Sequence, residues 1–154
     1  MGMMFSPEDI HFMQRAIQLA KIAAKNQEVP VGAVLVLDHQ IIGEGFNHPI
    51  KAHDPSAHAE MIALRQGADH IKNYRIINST LYVTLEPCLM CVGAIVHARV
   101  SRVVYGASDP KTGAVKSVFN LGEAHLLNHR VEYADGLFAE ECGELLKQFF
   151  RERR

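Results

Sequence analysis

Two short segments hold the residue types that do chemistry. The first is Glu86-Pro87-Cys88-Leu89-Met90-Cys91, with two thiols three positions apart. Residues three apart share one face of a helix. Thiols at a helix start also meet the positive end of its dipole, which favours the metal-binding thiolate. The second is Ser56-Ala57-His58-Ala59-Glu60-Met61. His58 and Glu60 are two apart, so in mid-helix their side chains would diverge by about 200°. Asp54, Pro55 and Ser56 are helix-start signals, followed by Met61, Ile62 and Leu64. Over the open end of a helix the two side chains need not share a face. His58 can hold a metal there while Glu60 stands beside it without binding.

If the two helix starts face each other, His58, Cys88 and Cys91 converge on a point. This nitrogen and sulfur set favours zinc. Structural zinc sites close with four protein ligands, so three leave a position for water. Zinc lowers the pKa of that water from about 16 toward about 7. A nearby carboxylate such as Glu60 can then take its proton and deliver it elsewhere. His-x-Glu together with Pro-Cys-x-x-Cys is the signature of the zinc nucleobase deaminases. Cys142 sits on the apolar face of the last expected helix and reads as core packing. The other eight of the nine histidines are not assigned to the metal.

The elements that must position these residues follow from periodicity. Residues 7–25 read as an amphipathic helix, opened by Ser6, Pro7 and Asp9. Residues 31–37 and 41–46 read as an antiparallel hairpin turning at 38–40. A helix is expected over 57–66, a buried strand over 80–85, and a helix from Pro87 to about His97. Strands over 102–106 and 131–133 follow, separated by a long loop with a short helix. The last helix spans 138–151, with Cys142, Leu145, Leu146 and Phe149 on one face. Helices between strands act as crossovers, so the pattern predicts a three-layer α/β/α domain around a mixed sheet.

The bulk composition bounds the function. The chain has 154 residues, which suits one domain, residues 1–154. Its 48% apolar and 21% charged residues are ordinary globular values. A net charge of −1 argues against a sequence-blind nucleic-acid binder, though a few local cations could hold RNA. Three cysteines, two of them in one motif, favour metal or redox chemistry over disulfides. The first ten residues lack an export signal, and no apolar run is long enough for a bilayer. Met1-Gly2 with Ser6 matches the loose myristoylation pattern, but Ser6 reads as a helix cap. The expectation is a cytoplasmic enzyme without a membrane partner.

With these motifs placed, the sequence resembles the bacterial tRNA-specific adenosine deaminases over nearly the whole chain, about Pro7 to Arg154. Beyond the zinc motif the resemblance includes Val29-Pro30-Val31-Gly32-Ala33-Val34, Gly43-Glu44-Gly45-Phe46-Asn47 and His53-Asp54-Pro55. It continues through Gly106-Ala107-Ser108-Asp109-Pro110-Lys111-Thr112-Gly113-Ala114, Asn128-His129-Arg130-Val131-Glu132 and Phe149-Phe150-Arg151. It implies a cytidine deaminase-like fold with a central five-stranded mixed sheet, one zinc per subunit, and a homodimer. It also implies hydrolysis of the wobble adenosine of a tRNA anticodon, that of an arginine tRNA first, to inosine. Glu60 would move protons between water, N1 of adenine and the leaving amine. Because Glu60 is present, the chain does not resemble the inactive subunit of eukaryotic heterodimeric versions.

The resemblance also assigns a base pocket. Asn47 would hydrogen-bond the base, and the Ala59 N–H and Pro87 carbonyl would orient it. Pro30 and Val31 would wall it, and Asp109 would touch the anticodon loop. On residue type alone other readings stay open: a turn residue for Asn47, strand core for Pro30 and Val31, an Asp-Pro turn for Asp109. Lys111, Lys116, Arg151, Arg153 and Arg154 are candidate phosphate contacts, and singly each is an ordinary surface charge. Phe149 and Phe150 could stack on bases or fill the core. Two rivals remain on sequence grounds. One is a deaminase of a free base or nucleotide such as cytosine or guanine; the other is a non-catalytic, zinc-stabilised RNA-binding module. The free Glu60 and the missing fourth ligand oppose the module. The Asp109–Ala114 segment and the basic end oppose the free-base enzyme.

Overall fold

The computed structural model describes residues 5–123 and 129–153. Helix α1 (Pro7–Lys25) leads to strands β1 (Gly32–Leu37) and β2 (Gln40–Phe46). A single-turn helix α2 (Pro49–Ala52) and helix α3 (Ala59–Ile71) follow. Strand β3 (Thr80–Leu85), helix α4 (Leu89–His97) and strand β4 (Arg102–Ala107) form a crossover unit. A 3₁₀ turn (Leu121–Glu123), strand β5 (Glu132–Asp135) and helix α5 (Ala139–Arg151) complete the order.

The strands form one five-stranded sheet in the order β2-β1-β3-β4-β5. The β2–β1 and β1–β3 pairs are antiparallel, and β3–β4 and β4–β5 are parallel. Side-chain alternation sorts the core into two layers. Ala33, Leu35, Leu81, Val83, Val103 and Tyr105 point to the side covered by α3 and α4. Val34, Val36, Tyr82 and Val104 point to the side covered by α1 and α5, with Phe12, Met13, Ile17 and Cys142 packed on them. Buried strands of this kind need no polar face, which explains the unbroken apolar run of β1.

α1 starts as its sequence requires. The Ser6 side chain accepts the Asp9 N–H, and the Asp9 carboxylate accepts the Ser6 N–H, with Pro7 between. Several expected bounds shift. α3 begins at Ala59, because His58 is its cap, and it runs past Gln66 to Ile71. The continuation passes through Gly67, where a Cβ would come within 2.3 Å of the Leu35 side chain. The glycine lets the helix lie close to the sheet and does not end it. The expected helix start at Pro87 moves to Leu89, since Cys88 is the extended cap. β4 reaches Ala107, and β5 covers Glu132–Asp135 instead of 131–133. The α2 turn was not anticipated. It is four residues long, too short for a periodic signal.

The register brings one end of the sheet together. Gly32 pairs with Phe46, Ala33 with Val83, and Leu85 with Ala107. The segments that enter β1 and leave β2, β3 and β4 therefore meet at the same end. That end includes the carboxyl ends of the parallel strands, where open α/β sheets place their ligand crevices.

Candidate active site

Two helix starts deliver the three metal-capable side chains. His58 is the N-cap of α3, in extended backbone at φ −78° and ψ 153°. Cys88 is the N-cap of α4 at φ −79° and ψ 175°, and Cys91 lies in its first turn. Neither side chain makes the usual N-cap hydrogen bond. Both are free to reach across the gap between the two helix starts. α3 is seated by close approach to β2. A Cβ on Gly45 would meet the Ala59 carbonyl oxygen at 2.3 Å, so only glycine lets the helix start this close.

The ligand atoms converge as their spacing suggested. His58 Nδ1 is 3.5 Å from Cys88 Sγ and 3.6 Å from Cys91 Sγ. All three lie within 4.8 Å of one another, and among the described residues they form the group able to hold a metal ion. The donor set is one imidazole nitrogen and two sulfurs, which fits zinc with a fourth position left over. The electrostatics agree. The hydrogen bond from the Cys91 thiol, helped by His58 against the cost of burial, pulls Cys88 down to about 4. Cys91 is pushed up, because its proton is held by Cys88 and it is buried. His58 is raised by its hydrogen bond to Cys88.

Glu60 is 4% exposed and belongs to the first turn of α3. Burial pushes its carboxyl up to about 7, while His58 acts in the opposite direction. A bound cation would also lower it. The position matches a carboxyl that trades protons near neutrality.

The base-pocket residues surround this group. Asn47 Oδ1 accepts the Ala59 N–H at 2.8 Å, and the Asn47 N–H donates to the Val31 carbonyl at 3.1 Å. The Ala59 N–H is therefore already paired, and Asn47 keeps its side-chain amide nitrogen as a donor. Pro30 and Val31 are buried on the segment entering β1, and Val31 also joins the core under α3 and α4. The Pro87 carbonyl accepts the Ala114 N–H at 2.9 Å. Asp109 closes a turn: its carboxylate accepts the Lys111 and Thr112 N–H groups and the Thr112 hydroxyl.

The candidate RNA contacts divide. Lys111 is exposed. Lys116 is exposed and pairs loosely with Asp135 at 3.4 Å. Arg151 is exposed, with Glu144 at 3.8 Å. Arg153 is exposed but engaged with the protein's own surface. Its guanidinium stacks on Phe149 at 3.5 Å from the ring centre and donates to the Phe149 carbonyl and to Gln27. That clasp ties the end of α5 to the segment leading into Pro30. Phe149 is core at 6% exposure, while Phe150 is 48% exposed. Arg154 lies outside the described residues.

Sequence reasoning passed over two buried carboxylates near the site. Glu28 accepts the Ile50 and Lys51 N–H groups at the start of α2. Glu86, next to Pro87, is 2% exposed. A charged residue ending an apolar strand was the signal for Glu86.

Together, the fold and this His-Cys-Cys group with its buried glutamate define a zinc deaminase. The family model for the cytidine and deoxycytidylate deaminase zinc-binding region matches residues 6–107, and the chain belongs to that family. Within it, the chain is similar to the tRNA-specific adenosine deaminase of Haemophilus influenzae, at 55% identity over 95% of this chain and 85% of that protein. The tRNA-specific adenosine deaminase of Buchnera aphidicola subsp. Baizongia pistaciae is 48% identical over 95% of this chain and 90% of its own length. A solved structure from work on A-to-I editing by tRNA:A34 deaminases at the wobble position superimposes with a TM-score of 0.86. It is 41% identical and covers 88% of this chain and 99% of its own.

Proposed function

We propose that the chain is a tRNA-specific adenosine deaminase: it hydrolyses the wobble adenosine of a tRNA anticodon, that of an arginine tRNA first, to inosine and ammonia. The observation that supports this most is the convergence of His58 Nδ1, Cys88 Sγ and Cys91 Sγ, with the buried Glu60 outside that group. The relatives support the substrate, since they are tRNA-specific adenosine deaminases. The working unit in this reading is a single domain spanning 1–154, one zinc per chain, in a cytoplasmic homodimer. Among the described residues, no helix is long and apolar enough to cross a membrane.

His58, Cys88 and Cys91 would hold the zinc, which when bound supplies an acidified water. Glu60 then accepts a proton from that water and passes it to N1 of adenine. With N1 protonated, the water oxygen would bond to C6 and the N1–C6 double bond would become single. Glu60 would then take the remaining hydroxyl proton and give it to the C6 amine; the C–N bond breaks as the C6–O double bond forms, and ammonia leaves. Asn47 donates to the base from its side-chain nitrogen. Pro30 and Val31 wall the pocket against bulk water. The exposed Lys111, Lys116, Arg151 and Phe150 face the anticodon loop in this reading. An unpaired anticodon base costs little to flip into such a pocket.

A buried proton carrier has no purpose in a purely structural zinc module, which is why the binding-module reading is set aside. Hydrolysis is tested in water enriched in heavy oxygen. The labelled oxygen is expected at C6 of the product base, with one ammonia released per inosine. Conversion without label would refute a hydrolytic mechanism.

A further inference from the structure

We infer that Glu86 is a positioning residue for this reaction: its carboxylate is the template on which the loop 109–117 is built against the metal-binding helix start. The inference rests on the proposed tRNA substrate for its kinetic consequence, and on the loop geometry for the rest.

Both oxygens of Glu86 are saturated by one loop. Oε1 accepts the Asp109 N–H at 3.0 Å and the Ser117 hydroxyl at 2.5 Å. Oε2 accepts the Lys116 N–H at 2.8 Å and the Ser117 N–H at 3.0 Å. A carboxylate offers about four acceptor positions, so none is left for water or substrate. This separates Glu86 from Glu60 and excludes a proton-carrying role. Among the described residues no lysine or arginine pairs with Glu86, so its charge is held by amide and hydroxyl dipoles alone. A buried anion of this kind stands or falls with those donors.

The loop is also fitted to the other side of the motif. Gly113 pairs with Cys88 in a backbone bridge, and the Ala114 N–H donates to the Pro87 carbonyl at 2.9 Å. Gly113 packs on the carboxylate so closely that a Cβ would lie 2.4 Å from Glu86 Cδ. Glu86, Pro87 and Cys88 thus serve, in three consecutive residues, as loop template, loop anchor and metal ligand. The outer side of the same loop carries Asp109, Lys111 and Lys116. Their distance from the metal is set through Glu86. Contacts from this loop to flanking nucleotides form in ground state and transition state alike, so weakening them raises KM more than it lowers kcat.

Glu86→Gln replaces an acceptor oxygen by a donor facing two donors, which forces the loop outward without touching a metal ligand. Ser117→Ala removes the hydroxyl alone and is the milder variant. Three quantities are read on purified protein: zinc per chain, kcat and KM on an anticodon stem-loop, and amide exchange at Asp109, Lys116 and Ser117 without RNA. The expected result for Glu86→Gln is KM raised about tenfold or more, kcat within about threefold, zinc retained, and faster exchange at the three amides. Ser117→Ala should move KM and exchange the same way by less, and it carries the test if Glu86→Gln fails to fold. Unchanged exchange in both variants overturns the template role. Loss of zinc or a fall in kcat alone with KM unchanged assigns Glu86 to the metal centre and overturns it too. A wild-type protein inert toward the stem-loop overturns the functional reading, while exchange still decides the template.

Discussion

His58 Nδ1 stands 3.5 Å from Cys88 Sγ, although thirty positions of sequence separate them. Each residue stands at the N-cap of a helix without the usual side-chain capping hydrogen bond. The two side chains are held by where their helices begin, and the helices are held by the sheet. Metal binding should therefore couple to folding. The expected metal content is one zinc per chain. His58→Ala, Cys88→Ala and Cys91→Ala should each lose it, and removing the metal with a chelator should lower the melting temperature of the wild type. Elemental analysis and a thermal melt check both; a variant that keeps stoichiometric zinc would contradict the ligand set.

Glu60 tests the division between ligand and proton carrier. Glu60→Ala should retain zinc and fold while turnover drops at least about a hundredfold, the usual scale of general acid–base catalysis. Metal analysis and steady-state rates on one preparation suffice. If the variant lost zinc, Glu60 would be a ligand.

Asp9 gives a prediction about stability and acid. It is 3% exposed and accepts hydrogen bonds from the two terminal guanidinium nitrogens of Arg102, at 2.8 and 3.1 Å, and from the Tyr82 hydroxyl at 2.7 Å. Burial pushes its carboxyl up, but Arg102, Tyr82 and the Ser6 N–H outweigh burial and leave it below the usual carboxylate value. A carboxyl depressed in the folded state adds stability above its unfolded pKa of about 3.9, and that stability is lost as pH falls through the folded value. Asp9→Asn should cost about 2–3 kcal/mol at neutral pH. The gap to wild type should narrow in strong acid. Urea melts at neutral and acid pH measure it.

The cations predict a salt dependence. Lys111 and Arg151 are exposed, so replacing both should weaken stem-loop binding and flatten its dependence on salt by about one unit of slope per residue. Arg153→Ala should act differently. It removes the clasp on Phe149 and Gln27 and should cost about 1 kcal/mol of stability. Binding titrations at several salt concentrations, with a melt of each variant, separate the two effects.

Much of this was legible in the sequence because it depends on local order. Cys88-x-x-Cys91 and His58-x-Glu60 announced helix starts, and the apolar runs of β1, β3 and β4 announced a buried sheet. The bounds slipped where tertiary contact overrode a local signal, as at Gly67, which continues α3 because the sheet side chains lie against it. The three layers followed from helices alternating with strands, but the strand order was beyond periodicity, since side-chain alternation does not name a strand's neighbours. Glu28 and Glu86 escaped notice for a related reason. Each is a buried carboxylate held mainly by backbone amides more than twenty residues away, and backbone donors leave no mark of their own in a sequence. Arg153 looked like Arg151 on residue type; only the clasp distinguishes them.

The most direct test of the account is a comparison of substrates at equal concentration. Wild-type protein is incubated with an arginine-tRNA anticodon stem-loop bearing adenosine at the wobble position, with free adenosine, and with free cytidine, and the products are analysed as nucleosides. The account predicts inosine at the wobble position of the stem-loop and far slower conversion of either free nucleoside, because binding energy from flanking nucleotides positions C6 in the pocket. Equal turnover of stem-loop and free adenosine, or turnover of cytidine alone, would contradict it.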